Sequence, residues 1–332
     1  MRGSQALFSA EDELSHPPGV ELSYSESVYF NFVDDGGELA GLMRIGNRLN
    51  ARYAEVTVLV YLPDGAAAFL YAKPEIDAPS FNLAGLEIEV VEPLQSVRLS
   101  YSGEIHVMAD GTALNDPRTA FATSPVKPLS FDLAFDGLMP ITGWKFANAA
   151  SGVDPDGSFA PNHYEAACRV TGTLVLDGCT ATIRGQGLRD HSWGPRDWIA
   201  PHFYRWISCF TAAGDGFVVW LIELPAGTRS WGFLRLEGET HAIADVAVES
   251  EYDGTEHYPR STSVSFTSGG ERFESRGERI NIVPLRHRAN GDIARLAEVV
   301  FGWESFHGAR GHGIAEFHDR MTDGVPSGLG HA

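Results

Sequence analysis

Apolar and polar residues alternate with a period of two along most of this 332-residue chain, from about Glu21 onward, and Gly, Asp and Pro interrupt the pattern at short intervals. Residues 56–62 alternate in this way, stop at the turn-forming sequence Pro63-Asp64-Gly65, and are followed by residues 66–71, which can return antiparallel. Because successive side chains of a strand point to opposite faces, this alternation predicts an all-β fold.

The same alternation predicts further strands, and Asp177-Gly178 between two of them is a strong signal for a two-residue hairpin. The predicted strands are 97–101, 129–135, 170–176, 179–183, 204–211, 217–224, 231–236, 263–267, 279–283, 297–303 and 311–318. We expect short helical turns at 9–14 and 115–121, a long loop at 151–162 and a mobile tail at 321–332. Two antiparallel units, 20–185 and 186–320, are each of a size that closes into a β-barrel.

Composition and charge exclude several classes of protein. With 43% hydrophobic and 21% charged residues the chain is typical of a globular protein, and its formal net charge of -19 opposes binding to nucleic acid or to anionic lipid. Residues 1–19 contain no apolar run that could form a signal peptide, and no segment approaches the ~20 apolar residues of a membrane span. We therefore expect a cytoplasmic protein without an integral membrane segment.

The three cysteines, Cys168, Cys179 and Cys209, are widely spaced and form no Cys-x-x-Cys pair. This spacing argues against a disulfide framework or a zinc ribbon. Cys168 and Cys179 flank the predicted hairpin and are expected to be buried free thiols.

Residues 185–198 concentrate ionisable and aromatic side chains between glycines and a proline. The Arg-Asp pair occurs twice, as Arg189-Asp190 and Arg196-Asp197, so that two carboxylates and two guanidiniums can form a buried network that fixes protonation states. The alternative is a structural corner in which these charges neutralise one another and the tryptophans fill the core. The first interpretation makes this segment the functional centre, at the junction of the two units.

Several common kinds of site are absent from the sequence. There is no Gly-x-Ser-x-Gly elbow and no phosphate-binding loop, and the Gly185-Gln186-Gly187 sequence lacks the third glycine of a dinucleotide site. On the C-terminal strand His312, Glu316 and His318 share a face, but they span ~20 Å at a rise of ~3.3 Å per residue. We predict no metal and no cofactor, and interpret these residues as a polar stripe facing solvent or a barrel lumen.

The sequence Asp190-His191-Ser192-Trp193-Gly194 resembles the Asp-His-x-Trp-Gly signature of the carotenoid 1,2-hydratase (hydroxyneurosporene synthase) and AttH-like group, a two-domain lipocalin-like superfamily. Residues 187–198 resemble a bacterial branch of that group, and the resemblance extends to residues 44–48 and 61–65. It implies two lipocalin-like (calycin-type) antiparallel β-barrel domains packed together. Ser192 departs from the carotenoid enzymes, which typically have Asn there.

The resemblance also implies an activity: a cofactor-independent hydratase, or lyase, acting on a carbon–carbon double bond of a small hydrophobic, isoprenoid-like substrate. An acid desolvated among aromatic rings stays protonated and can protonate an alkene. The acid-base residues expected are Asp190, His191 and Glu223, although His191 could instead be a structural histidine. Because Trp220 and Glu223 lie on opposite faces of one strand, they cannot both reach a cavity without a bulge.

Aromatic residues concentrated in and after the motif are the expected substrate-binding groups, unless they only fill a core. The expected substrate-binding residues are Trp193, Trp198, Tyr204, Trp206 and Trp220, with Arg189, Arg196 and Asp197 as the supporting network. Two other functions stay open at this point. One is an isomerase or cyclase of a polyene or polyketide, and the other is a non-catalytic carrier of a hydrophobic ligand.

Overall fold

The computed structural model describes residues 7–145, 159 and 161–329, and almost all of its regular structure is antiparallel strand. Among these residues, eleven strands form the first sheet and ten form the second. The strands of the first sheet are β1 (Tyr24–Asp34), β2 (Ala40–Arg48), β3 (Tyr53–Tyr61), β4 (Ala67–Ala72), β5 (Asn82–Leu83), β6 (Leu86–Glu92), β7 (Ser96–Met108), β8 (Val126–Gly137), β9 (Thr142–Lys145), β10 (Asn162–Leu176) and β11 (Cys179–Pro195). The strands of the second sheet are β12 (Phe203–Thr211), β13 (Gly216–Leu224), β14 (Gly227–Leu236), β15 (Glu239–Ala242), β16 (Ala244–Asp253), β17 (Tyr258–Ser268), β18 (Glu271–Ala289), β19 (Asp292–Phe306), β20 (Ala309–Thr322) and β21 (Val325–Pro326).

Helical structure is confined to short segments. The 3₁₀ turns are Ala10–Glu13, Leu49–Ala51, Pro63–Gly65 and Gly111–Asn115, and the single α-helix of the described residues, α1, is Pro117–Thr123. Asp116 caps α1 by accepting a hydrogen bond from the Thr119 backbone nitrogen, and Pro117 occupies the first turn. No helix of the described residues is long and apolar enough to cross a membrane.

The first sheet closes into a barrel because β4, at one end of the strand order, also pairs with β7. The second sheet curls in the same way, with β14 and β16 approaching each other. The predicted all-β fold of two packed lipocalin-like barrels is thus confirmed. The predicted division at residues 185 and 186 falls inside β11, which runs without a break to Pro195 and belongs to the first sheet, so we propose that the division lies at residues 196–202.

Three apolar cores follow from the alternation of side chains. Val28 and Phe30 point into the lumen of the first barrel, whereas Tyr29 between them points toward the second sheet. Ile207 and Phe317 likewise fill the lumen of the second barrel. The third core lies between the two sheets, and strands such as β1 are therefore buried on both faces.

Several expectations for individual segments need correction or lie outside the described residues. β10 begins at Asn162, whereas residues 151–158 and 160 of the predicted loop lie outside the described residues, as do 330–332 of the predicted tail. The rest of that tail is fastened, since the Gly328 backbone nitrogen donates to Asp319 Oδ1 at 2.8 Å. Cys179 is exposed and not buried as predicted, because it lies at the hairpin tip, whereas Cys168 is buried.

Candidate active site between the two sheets

A cavity of about 360 Å³ lies between the two sheets, where both contribute side chains to the third core. One wall is a row of residues that are direct partners across neighbouring strands of the first sheet. Because partners in register project from the same face, all of them point toward the second sheet. The row consists of Tyr71, Thr57, Arg44, Tyr29, Asp190 and Glu165, and all of these except Glu165 line the cavity.

The second sheet contributes a matching row from β14, β13, β12, β20 and β19. Its members, in that order, are Trp231, Trp220, Trp206, Glu316 and Glu298, and all of these except Trp231 line the cavity. Trp206 and Trp220 stack with ring centroids 4.9 Å apart and an interplanar angle of 19°. One half of this wall is therefore aromatic, and the other half carries two carboxyl groups.

An ion-pair centre lies on the side of the first sheet. His163 Nδ1 lies 2.7 Å from Asp190 Oδ2, and His163 Nε2 lies 3.5 Å from Glu165 Oε2. Burial disfavours the imidazolium, but the Asp190 carboxylate beside it outweighs burial and raises the pKa of His163 to about 9. His163 is therefore a cation at neutral pH, and Asp190 is its counter-ion.

Indole rings surround this cation. Trp144 stacks on the His163 ring with centroids 4.5 Å apart, and the Trp220 ring meets it edge-on at 5.5 Å. Trp220 Nε1 also donates to Glu165 Oε2 at 3.3 Å, and burial raises the pKa of Glu165. The indoles thus shield the ion pair from water and favour the charged imidazolium by cation–π attraction.

Glu298 and Glu316 are direct partners on β19 and β20 and are buried, with 2% and 7% exposure. Within the described part of the chain neither carboxyl group has a cation within 4.0 Å, and Glu298 Oε2 has no hydrogen-bond partner. Burial raises the pKa of each to about 8, with Arg44 opposing the rise. This acid pair therefore holds protons at neutral pH.

Of the residues predicted for the site, those that line the cavity are Asp190, Arg196, Trp198, Tyr204, Trp206 and Trp220. Arg196 Nη2 donates to Ser192 Oγ at 2.9 Å, and Tyr204 stacks on His318 at 4.7 Å. His318 and Glu316 face the first sheet, so the polar stripe predicted on β20 faces neither solvent nor a lumen. The lumen side of β20 is filled by Ala315 and Phe317.

Three predicted residues, Arg189, His191 and Trp193, project from the opposite face of β11, because alternation separates them from Asp190. His191 Nδ1 and Nε2 lie 3.2 Å from the Tyr164 hydroxyl and from Glu26 Oε1. Trp193 stacks on His16 at 3.8 Å, and Arg189 Nη2 donates to Glu13. These side chains fasten the N-terminal segment to the first barrel and do not line the cavity.

Glu223 and Asp197 also lie away from the cavity lining. Glu223 lies 3.9 Å from His202 Nδ1, on the face of β13 opposite Trp220, and no bulge brings it to the Trp220 face. Asp197 is exposed and accepts a hydrogen bond from the Ile199 backbone nitrogen in a local turn. The two Arg-Asp pairs therefore do not form the buried network that the sequence predicted.

The residues of the site that sequence reasoning missed include Arg44, His163, Glu165 and Glu298. The spacing of His163 and Glu165 by two residues would place both on one face of a strand, but they lie next to the segment 151–162, which was predicted as a loop. Glu298 lies in a predicted strand whose neighbours Ala297 and Val299 are both buried, so its orientation required the partner sheet.

Among the described residues, two groups of side chains place possible metal-ligand atoms within 4.8 Å of one another: His16, Glu26 and His191, and His163, Glu165 and Asp190. In the structure these atoms pair as imidazole–carboxylate contacts, including His16 Nδ1 to Glu26 Oε1 at 2.8 Å. The absence of a metal stays a prediction.

Solved structures of known proteins share this fold. CghA, solved with Sch210972, aligns with a TM-score of 0.55 and 12% identity over 92% of this chain and 90% of that chain. A putative AttH from Nitrosomonas europaea aligns with a TM-score of 0.50 and 15% identity over 89% of this chain and 92% of that chain. These likenesses confirm the expected fold, whereas membership of the AttH-like superfamily and the link to carotenoid hydratases stay predictions.

Among curated proteins none is detectably similar to this chain in sequence. Residues 9–321 match the family described as "Domain of unknown function (DUF7064)", and the chain therefore belongs to that family.

Proposed function

We propose that this protein is a hydro-lyase that adds water to, or removes it from, a carbon–carbon double bond of a hydrophobic, isoprenoid-like substrate held between the two sheets. The observation that carries the proposal is the buried acid pair, Glu298 and Glu316, beside the stacked rings of Trp206 and Trp220. Protonation of an alkene requires an undissociated acid at neutral pH in a site that excludes bulk water.

In the hydration direction a carboxyl group of the acid pair gives its proton to one alkene carbon. The π electrons form the new C–H bond, and the other carbon becomes a carbocation. The faces of Trp206 and Trp220 stabilise that cation, at roughly 0.5–2 kcal/mol each. The oxygen of a water molecule then forms the C–O bond, and the water gives up a proton.

Asp190 is the proposed acceptor of that proton. Its carboxylate is held at 2.7 Å by the His163 imidazolium, so it is a counter-ion and not the acid that the sequence predicted. Proton transfer from Asp190 back to the acid pair completes the cycle, and the net reaction is the addition of one water molecule. Dehydration follows the same steps in reverse.

The comparisons support a small-molecule role for the cavity without specifying the reaction. CghA, which shares this fold, was solved with Sch210972. An isomerase or cyclase would use the same acid, with loss of a proton from a neighbouring carbon in place of attack by water. A shared fold hosts many chemistries, so the acid pair and not the fold carries the proposal.

The test is incubation in heavy-oxygen water with a panel of unsaturated isoprenoids and polyketide-like acids, followed by mass spectrometry. We expect the wild type to add one labelled water molecule. Glu316→Gln and Glu298→Gln keep the size of the side chain but remove the acidic proton, and we expect a loss of about 10²- to 10⁴-fold in rate from the variant of the residue that acts as acid.

Glu239→Gln, on the exposed strand β15, is the matched control and should keep the wild-type rate. Glu223→Gln should also keep it, because Glu223 does not line the cavity. A product of unchanged mass would favour an isomerase or cyclase, and tight retention of an unchanged ligand by every variant would favour the carrier. Undiminished hydration in both acid-pair variants would contradict the proposed acid.

A further inference from the structure

Two guanidinium groups flank one indole at the edge of the cavity. Arg196 Cζ lies 5.2 Å from the centroid of the Trp198 ring, and Arg44 Cζ lies 5.8 Å from the same ring. All three residues line the cavity. Arg196 Nη2 donates to Ser192 Oγ, and among the described residues no carboxylate lies within 4.0 Å of the Arg196 guanidinium. The Arg196 guanidinium therefore borders the cavity without a carboxylate partner among the described residues.

The charges around this edge do not balance. Glu55 Oε2 is shared between Arg44 Nη1 and Arg48 Nε, each at 3.5 Å, so one carboxylate faces two guanidiniums. Asp190 is engaged by His163. Burial lowers the pKa of Arg196 to about 10, with Asp190 opposing this and Arg44 adding to it, and Arg196 stays protonated at neutral pH.

A positive surplus inside a chain with a formal charge of -19 is a specific feature and not a general property of its surface. An arginine in a partly buried site presents a planar fork of donors that matches a carboxylate in a bidentate arrangement. The rest of the cavity extends from this edge over aromatic and aliphatic side chains. These include Phe69, Tyr204, Trp206, Trp220 and Leu296.

We infer that the ligand of this cavity is an amphipathic carboxylate, whose carboxylate is bound by Arg196 with help from Arg44 and whose hydrophobic chain lies along the tryptophan wall. This inference rests on the proposed function for the assignment of the ligand as substrate, but the binding itself does not. A single negative charge fits the site better than a phosphate monoester, because the Asp190 carboxylate lies close enough to Arg196 to repel a second one.

The test is calorimetric titration of the full-length protein at pH 7 with three probes that share one chain: geranic acid, geraniol and geranyl phosphate. We expect geranic acid to bind at least about tenfold more tightly than geraniol, because a hydrogen bond to a charged group is among the stronger ones. Arg196→Gln should lower the affinity for geranic acid by about 10- to 100-fold and leave the affinity for geraniol unchanged. Arg98→Gln, an exposed arginine paired with Asp132 on the first barrel, is the matched control.

Retained geraniol affinity shows that the Arg196→Gln cavity is intact. If that variant binds neither ligand, Arg196→Lys is the second test, because lysine keeps the positive charge but lacks the planar pair of guanidinium donors. It should bind geraniol with the affinity of the wild type and geranic acid more weakly than the wild type. Equal affinity for acid and alcohol, tighter binding of geranyl phosphate, a preference that survives Arg196→Gln, or no binding of any probe would each overturn the inference. Because no probe needs to react, acid-selective binding without any water adduct would refute the hydro-lyase alone.

Discussion

At the scale of single residues, the site depends on where buried charge can be tolerated. Glu298 and Glu316 stay protonated because burial without a cation disfavours the carboxylate, whereas His163 stays charged because Asp190 accompanies it. One wall of the cavity thus stores protons as neutral acids, and the other holds a stable ion pair. The proposed proton donor, the acid pair, and the proposed proton acceptor, Asp190, therefore lie on different walls.

The acid pair predicts how stability changes with pH. A carboxyl group whose pKa is about 8 in the folded state and near 4.5 in the unfolded state favours folding fully below about 4.5, and this contribution is lost as the pH rises toward 8. Relative to the wild type, Glu298→Gln should therefore gain stability between pH 5 and 8 and level off above pH 8. Urea unfolding at a series of pH values measures this, and a pH-independent difference would contradict the raised pKa.

The His163–Asp190 pair makes a prediction of the same sign at higher pH. Since Asp190 raises the pKa of His163 to about 9, Asp190→Asn should lower that pKa by about 1–3 units, measured by NMR titration of the histidine ring. The stabilisation from the pair is present below pH 6.5 and is lost as the pH rises through 9. Asp197→Asn, in an exposed turn, should leave the titration of His163 unchanged.

At the scale of elements, strand β11 serves two purposes because its two faces differ. Asp190 faces the cavity, whereas Arg189, His191 and Trp193 hold the N-terminal 3₁₀ turn against the first barrel. Glu13 in that turn accepts hydrogen bonds from both Arg189 Nη2 and the Tyr164 hydroxyl. Part of the signature-like sequence in this strand therefore anchors the N-terminal segment to the first barrel.

Removal of the Glu13 charge tests whether the two faces of β11 have these separate roles. Glu13→Leu leaves Arg189 buried without its carboxylate and should lower the free energy of unfolding by about 3–5 kcal/mol. Ligand affinity in the cavity should change little at temperatures where the variant is folded. Glu11→Gln, exposed in the same turn, is the control and should unfold like the wild type. A stable Glu13→Leu variant with impaired binding would reverse the assignment of the two faces.

At the scale of the whole molecule, the two barrels share the core in which the cavity lies. Tyr29 and Leu59 from the first sheet pack with Val218 and Phe233 from the second in one apolar cluster. Hydrogen bonds cross the same boundary, such as Asn281 Nδ2 to the Leu62 carbonyl at 3.0 Å. Either half alone would expose this surface to water.

We therefore expect the protein to unfold in a single cooperative step. Tryptophan fluorescence, which reports mainly on the cavity walls, and far-UV circular dichroism, which reports on all strands, should give coincident urea transitions. A variant with a weakened shared core, Phe233→Ala, should shift both transitions together, by about 3–5 kcal/mol. Two separated transitions would instead show that each barrel is stable without the other.

The sequence by itself determined most of the strands and hence the all-β class, because alternation is a local property and turns such as Asp177-Gly178 fix hairpins locally. It also identified the stretch around Asp190 and five further residues of the cavity wall. It missed β1 and β2, whose two faces are both buried, so that no alternation marks them, and it also missed β6 and β16. The tertiary structure alone decided that Glu298 meets Glu316, that His163 meets Asp190 and that His191 faces away. Such pairs depend on the register between strands and on which sheet covers each face, and neither is encoded within a single segment of the chain.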